Sequence, residues 1–153
     1  MGDFQASVVL PRPRDITFNY LRDPKNFLKL FPESATRNLD IRLPELLDSG
    51  SCLEFNFKAM GNQFQIIQKI TDLLQGERIV ATQLKGPFKL WVHEQRFADA
   101  ADGTTLLTNS IKFEPPGGLL GIFVTRKLIL TQLDDWVGQG HELLRQTLAN
   151  EAI

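Results

Sequence analysis

The sequence predicts an α+β domain in which one curved antiparallel sheet closes around a long C-terminal helix. Three observations point there. A strand and two short helical segments open the chain, period-two alternation of apolar and polar residues runs from about residue 39 to residue 114, and helical spacing takes over after Pro115-Pro116-Gly117-Gly118. A chain of 153 residues has the size of one domain and buries roughly 70% of its unfolded surface in a single core, so residues 1–153 read as one unit.

Residues 4–10 form the first predicted strand, stopped by the Pro11-Arg12-Pro13 breaker. Asp15 then reads as a helix N-cap with Phe18 and Leu21 behind it. Asp23-Pro24 repeats the start signal, a capping carboxylate followed by proline at the first helical position. Phe27, Leu28, Leu30 and Phe31 supply the apolar face of this second short helix, and Pro32 ends it.

The meander follows. Leu39, Ile41 and Leu43 alternate with Asp40 and Arg42, and Leu53, Phe55 and Phe57 alternate with Glu54, Asn56 and Lys58. Asp48-Ser49-Gly50, Gly61-Asn62 and Gln75-Gly76-Glu77 are turn signals, and Asp102-Gly103 is a hairpin signal between residues 91–97 and 105–113. Six strands after the helical pair make seven in all. Leu130, Leu133, Val137, Leu144 and Leu148 then fall on one helical stripe while Asp134, Asp135, Glu142 and Arg145 fall away from it. Gly138 and Gly140 each cost about 1 kcal/mol relative to alanine inside a helix, which implies a close approach to the sheet or a bend.

These elements are buried together when the sheet curls and the long helix lies across its concave face, the helix-grip arrangement. The residues that carry a family likeness are Asp23-Pro24, Pro32, the stretch Gly86-Pro87-Phe88-Lys89-Leu90-Trp91-Val92-His93-Glu94-Gln95-Arg96-Phe97, and the loop Pro115-Pro116-Gly117-Gly118-Leu119-Leu120-Gly121. With them the whole chain resembles bacterial START-like proteins of the polyketide cyclase/dehydrase (SRPBCC) superfamily, to which the birch-pollen allergens are distant relatives. The resemblance implies a module for an apolar ligand such as a lipid, sterol, quinone or polyketide, and in some members cyclisation or dehydration of a polyketide. Function transfers less well than fold within such a group.

With Phe97 facing a cavity, the two-residue period places Trp91, His93 and Gln95 on the same concave face. Across the hairpin, Leu107, Asn109, Ile111 and Phe113 form the matching row, and an even register sets Asn109 opposite or diagonal to His93. His93 and Asn109 are thus the candidates for chemistry, a histidine with an amide neighbour able to orient a carbonyl or shuttle a proton. Similar sequences carry Asp at the position of Asn109, and an amide does not raise imidazole basicity as a carboxylate does. The plainer reading makes His93 a core histidine satisfied by Asn109 or a backbone carbonyl. His141 reads as an exposed or rim histidine near the inner stripe of the last helix. The expected ligand wall is Phe55, Phe57, Phe64, Ile66, Trp91, His93, Gln95, Phe97, Asn109, Ile111 and Phe113 from the sheet, with Leu130, Leu133 and Val137 from the helix.

Composition narrows the partners. Net charge is −1 with the signs interspersed, so a nucleic-acid surface is not expected. Two histidines and one cysteine, Cys52, supply no converging metal-ligand set, and neither a metal nor a cofactor is expected. The first ten residues do not read as a signal peptide, and residues 117–133 are interrupted by Arg126 and Lys127, so a cytoplasmic protein without stable membrane insertion is expected. The apolar loop 119–124 beside those two cations is a candidate for transient contact with a membrane surface. Three functions fit: a carrier of a hydrophobic small molecule, favoured by the aromatic inner rows; an enzyme of the cyclase or dehydratase type with His93 as acid/base; and a protein-interaction module with a vestigial cavity.

Overall fold

The structure, a computed structural model, describes residues 1–28, 38–59 and 61–150. Its strands are β1 (Gly2–Leu10), β2 (Asp40–Arg42), β3 (Cys52–Ala59), β4 (Asn62–Leu74), β5 (Arg78–Lys85), β6 (Leu90–Ala100) and β7 (Thr104–Glu114). Its α-helices are α1 (Arg14–Arg22), α2 (Pro24–Phe27), α3 (Gly118–Phe123) and α4 (Arg126–Asn150). All seven strands form one antiparallel sheet in the order β1-β7-β6-β5-β4-β3-β2. The predicted helix-grip architecture is therefore the observed one.

Neighbouring strands in the meander need only turns. Gly50, Gly61 and Gly76 take positive φ where the sequence predicts those turns, and Asp102 and Gly103, at φ 57° and 70°, close the β6–β7 hairpin. The one long connection carries the chain from β1 at one edge to β2 at the other, and the helical pair opens it. Asp23 caps α2, its carboxylate accepting from the Lys25 amide at 3.0 Å ahead of Pro24. The cap of α1 is Pro13 and not Asp15: proline holds the extended entry, the Thr17 amide bonds the Pro13 carbonyl at 3.0 Å, and Asp15 lies in the first turn where the helix dipole favours it. Leu30, Phe31 and Pro32, expected to complete the second helix, lie outside the described residues.

Curvature comes from the middle of the sheet. The 13-residue β4 pairs with β5 through two irregularities, between Ile67 and Gln68 and between Ile70 and Asp72, and such bulges bend and twist a strand. On the concave side, burial alternates along β7 so that Thr105, Leu107, Asn109, Ile111 and Phe113 are all buried. The helix α4 answers with Ile129, Leu133, Val137, Gly140, His141, Leu144 and Leu148. The stripe enters through Ile129, and Leu130, expected on it, is half-buried at its margin. Of the two helix glycines Gly140 is buried and Gly138 faces solvent.

The apolar interior has two parts. Under α1 and the C-terminal half of α4, Leu10, Phe18, Leu21, Phe97, Leu107, Leu144 and Leu148 pack together, with Phe18 edge-on to Phe97 at 5.1 Å. Burying one such side chain stabilises by about 1.5–3 kcal/mol. Beneath the N-terminal half of α4, Ile111, Phe113, Ile129 and Leu133 form a second group, flanked by Phe88, Trp91 and Leu130. Arg12 fastens the far end: its Nε donates to the Leu148 carbonyl at 2.7 Å, giving a cation and a donor to the helix C-terminus, while its own carbonyl accepts from Thr105 Oγ1 at 2.7 Å.

The segment expected as an apolar loop is partly helical, as α3, because it turns tightly enough to set Gly121 against the Pro116 carbonyl. A Cβ on Gly121 would lie 2.2 Å from that oxygen, whereas one on Gly138 would meet nothing within 4 Å. Gly121→Ala is accordingly expected to destabilise by about 1–3 kcal/mol through forced displacement, and Gly138→Ala to stabilise by about 1 kcal/mol. Urea unfolding of the two variants measures this, and equal effects would contradict the packing described at Gly121.

Candidate ligand site

Along β7 the buried residues change from apolar to polar and back: Leu107, Asn109, Ile111. The same interruption occurs on β6, where His93 and Gln95 lie between Trp91 and Phe97, and on α4, where His141 lies between Val137 and Leu144. These interruptions meet in space. Register sets Gln95 opposite Asn109 and His93 opposite Ile111, so Asn109 is diagonal to His93. Asn109 Oδ1 accepts from His93 Nε2 at 2.7 Å, and Asn109 Nδ2 donates to His141 Nε2 at 2.6 Å. The expected His93–Asn109 pair thus extends to His141, which is buried from solvent and not at a rim. It lies on the buried stripe of α4, and its ring reaches Asn109 on β7.

An amide has one acceptor edge and one donor edge, so Asn109 requires opposite behaviour from its two histidines. As placed, His93 carries its proton on Nε2 and His141 carries its own on Nδ1. Turning the amide over exchanges these roles without changing the count. Two imidazolium rings at once would place an N–H against the amide donor. Burial pushes the His93 pKa below its ordinary value, opposed by the Asn109 hydrogen bond. Burial, followed by repulsion from His93, pushes His141 down to about 4. Near neutral pH the trio is an uncharged relay.

Beside it lies a cavity of about 280 Å³ between the concave face and α4. His93 is in its wall. Apolar side chains make most of the rest: Leu53, Phe55, Ile66, Phe88, Trp91, Leu133 and Trp136, with Phe27 and Leu28 from the helical pair and Leu39 ahead of β2. The remaining polar wall is a pair of glutamines opposite each other on β4 and β5, Gln68 and Gln83. Gln83 Nε2 donates to the Phe88 carbonyl at 2.7 Å, whereas Gln68 Oε1 is buried with no hydrogen-bond partner among the described residues.

Of the residues expected to line a ligand, Phe55, Ile66, Trp91, His93 and Leu133 come together on this cavity. Gln95 and Asn109 are buried on the same face beyond the wall, and the Gln95 amide has no partner among the described residues. Phe97 belongs to the first apolar group, Ile111 and Phe113 to the second, and Val137 is buried on the helix. Phe57 and Phe64 stack on each other at 5.4 Å, with Phe64 exposed. Sequence reasoning alone misses Trp136, Gln68 and Gln83, and does not assign Phe27, Leu28, Leu39, Leu53, Ala81, Pro87 and Phe88 to the wall. Gln68 and Gln83 break the alternation of inner apolar residues on adjacent strands, a signal visible in the sequence once the register is known. Among the described residues no group of three or more His, Cys, Asp or Glu is placed to hold a metal ion, and no helix is long and apolar enough to cross a membrane.

The depressed histidine pKa values have a stability consequence. Above the ordinary value of 6.5 both rings are neutral whether the chain is folded or not; below it the unfolded chain takes up protons that folded His141 refuses until about pH 4. Stability is therefore expected to fall as pH drops from 6.5 towards 4. His141→Gln keeps an acceptor for Asn109 and removes the titrating ring, so its thermal midpoint should depend less on pH in that window. An unchanged slope would mean that His141 is not the buried base described.

The sequence matches no protein-family model and no curated protein. Solved structures do match. The protein TTHA0849 from Thermus thermophilus aligns with TM-score 0.67 and 14% identity over 99% of this chain and 100% of that one. The major latex-like protein 151 of Panax ginseng aligns with TM-score 0.59 and 19% identity over 94% of this chain and 97% of that one. The di-domain ARO/CYC StfQ of the steffimycin biosynthetic pathway aligns with TM-score 0.68 and 15% identity over 96% of this chain and 50% of that one. At such identities the shared property is the backbone arrangement, and it is the arrangement assembled above from the sheet, its bulges and α4: the chain has the helix-grip fold of these solved structures.

Proposed function

We propose that residues 1–153 form one carrier unit that holds a hydrophobic small molecule, of the lipid, polyketide or quinone type suggested by the sequence resemblance, in the cavity under α4. The observation that carries this reading is the cavity wall, aromatic and aliphatic apart from His93 and two glutamines. The relay argues for holding over reacting. His93 has Asn109 as its one ring hydrogen-bond partner among the described residues, and that neutral amide raises its basicity less than burial lowers it. The exposed thiol of Cys52 suits a reducing, cytoplasmic setting.

A membrane-facing role in exchange has its own support. Leu119, Leu120, Ile122 and Phe123 on α3 are exposed, as is Leu128 one turn into α4, and exposed Arg126 and Lys127 stand between them. An apolar patch flanked by cations complements an anionic lipid surface. The occupant we assign to it is a bilayer touched while the ligand enters or leaves.

Native mass spectrometry of gently purified protein, with an organic extract of the same sample, tests the carrier. A stoichiometric apolar adduct that persists in His93→Ala is the expected result. Turnover of a polyketide substrate that drops by about 10² or more in that variant, with no retained ligand, would instead make the protein an enzyme. For the patch, flotation with vesicles of phosphatidylserine and phosphatidylcholine should recover the wild type and lose Phe123→Asp, and the recovery should weaken with salt. No recovery of the wild type would remove the membrane from the proposal.

A further inference from the structure

The two ends of the sheet use their charges differently. Because the meander reverses at every strand, the β3–β4 tip, the β5–β6 connection and the exit from β7 to α3 share one end. The β4–β5 turn, the β6–β7 hairpin and the exit from β1 share the other. At that second end the arginines are matched: Arg14 pairs with Asp99 at 3.2 Å, Arg22 with Asp48 at 3.9 Å and Arg78 with Asp72 at 2.6 Å. At the first end Lys58, Lys85, Lys89, Arg126 and Lys127 are exposed, and none is in an ion pair among the described residues. The carboxylates on the described strand ends there are Asp3, Asp40 and Glu114, and Asp3 lies across from Lys112, so the cations are in excess.

Apolar surface is exposed at the same end on strands distant in sequence from α3. Beside the β3–β4 tip Phe57 stacks on Phe64, and Leu84, left over in the β4–β5 register, is 59% exposed. The cavity reaches this end. Phe55 and Ile66, two residues along the same face from Phe57 and Phe64, are in its wall together with Pro87 and Phe88 of the β5–β6 connection. We propose that the β3–β4 tip is a second contact with an anionic bilayer, so that the protein docks end-on with the cavity beside the membrane; this rests on the reading of α3 as a membrane patch. Cations spread over three connections, with aromatic and aliphatic side chains between them, suit a plane of anionic headgroups above an apolar layer. The matched charges of the opposite end give it no such attraction.

A polarity-sensitive fluorophore on a single cysteine tests this. With the exposed Cys52 changed to serine, the label is placed at the tip by Gln63→Cys or at the opposite end by Ala101→Cys, both exposed positions. On vesicles of phosphatidylserine and phosphatidylcholine the tip label should shift to the blue while the other stays unchanged, and neither should respond to phosphatidylcholine alone. In unlabelled protein Lys58→Gln and Lys85→Gln should each weaken partitioning about fivefold. Flotation of the wild type with no shift at the tip, or with equal shifts at both ends, overturns end-on docking and leaves the α3 patch standing. Partitioning unchanged in both lysine variants does the same, and it is read without any label. No flotation of the wild type overturns both.

Discussion

The Asn109 amide is the point on which the two layers agree. It takes a hydrogen bond from the sheet at His93 and gives one to the helix at His141, at 2.7 Å and 2.6 Å. Apolar packing holds α4 to the sheet more strongly in total but tolerates small slides and rotations along the helix axis. A two-sided amide tolerates neither, because each edge has one direction and one sign. Sliding α4 by one residue would turn His141 by about 100° around the axis and leave a buried donor unpaired. The relay therefore specifies where the helix lies, and with it the width of the space beneath.

That role accounts for the division of the interior. Phe97, Leu107, Leu144 and Leu148 pack on one side of the relay, and Ile111, Phe113, Ile129 and Leu133 pack on the other. The cavity borders both groups, with Phe27, Leu53 and Ala81 of the first and Leu133, Phe88 and Trp91 of the second in its wall, beside the bulged middle of β4. The first group and the Arg12 clamp at Leu148 anchor the helix C-terminal half, leaving the N-terminal half to roof the cavity. Along α4 the C-terminal half thus serves packing alone, while the N-terminal half serves both packing and the cavity.

Much of this is legible in the residues. Period-two alternation, the Asp-Gly hairpin and the proline and glycine punctuation together dictate a meander, and the meander with one long amphipathic helix has a single economical way to bury both faces. The same parity puts His93 and Asn109 in reach, since side-chain direction in a hairpin follows from register alone. What parity does not provide is depth. It places Phe64 and Gln95 on the inner face alike, yet Phe64 is 40% exposed and Gln95 fully buried, because the sheet curves away from the helix at one end and towards it at the other. His141 reads as a rim residue from sequence for a related reason: its burial comes from the contact of α4 with Asn109 on β7, a partner 32 positions away that helical spacing alone does not reveal. Trp136 is hidden by its neighbours, as Asp134 and Asp135 mark a solvated face that the tryptophan edges past.

The chemistry of the site follows from what its polar groups are bonded to. A histidine that works as a general base needs a partner that gains from its protonation, and a carboxylate is the usual one. Asn109 favours a first proton on His93 less than burial opposes it, and a second proton on the relay sets donor against donor. Polar side chains in such an interior are then positional, as Asn109 is in tying the sheet to the helix. Gln83 does the same between a strand and the connection that follows it, its amide donating to the Phe88 carbonyl.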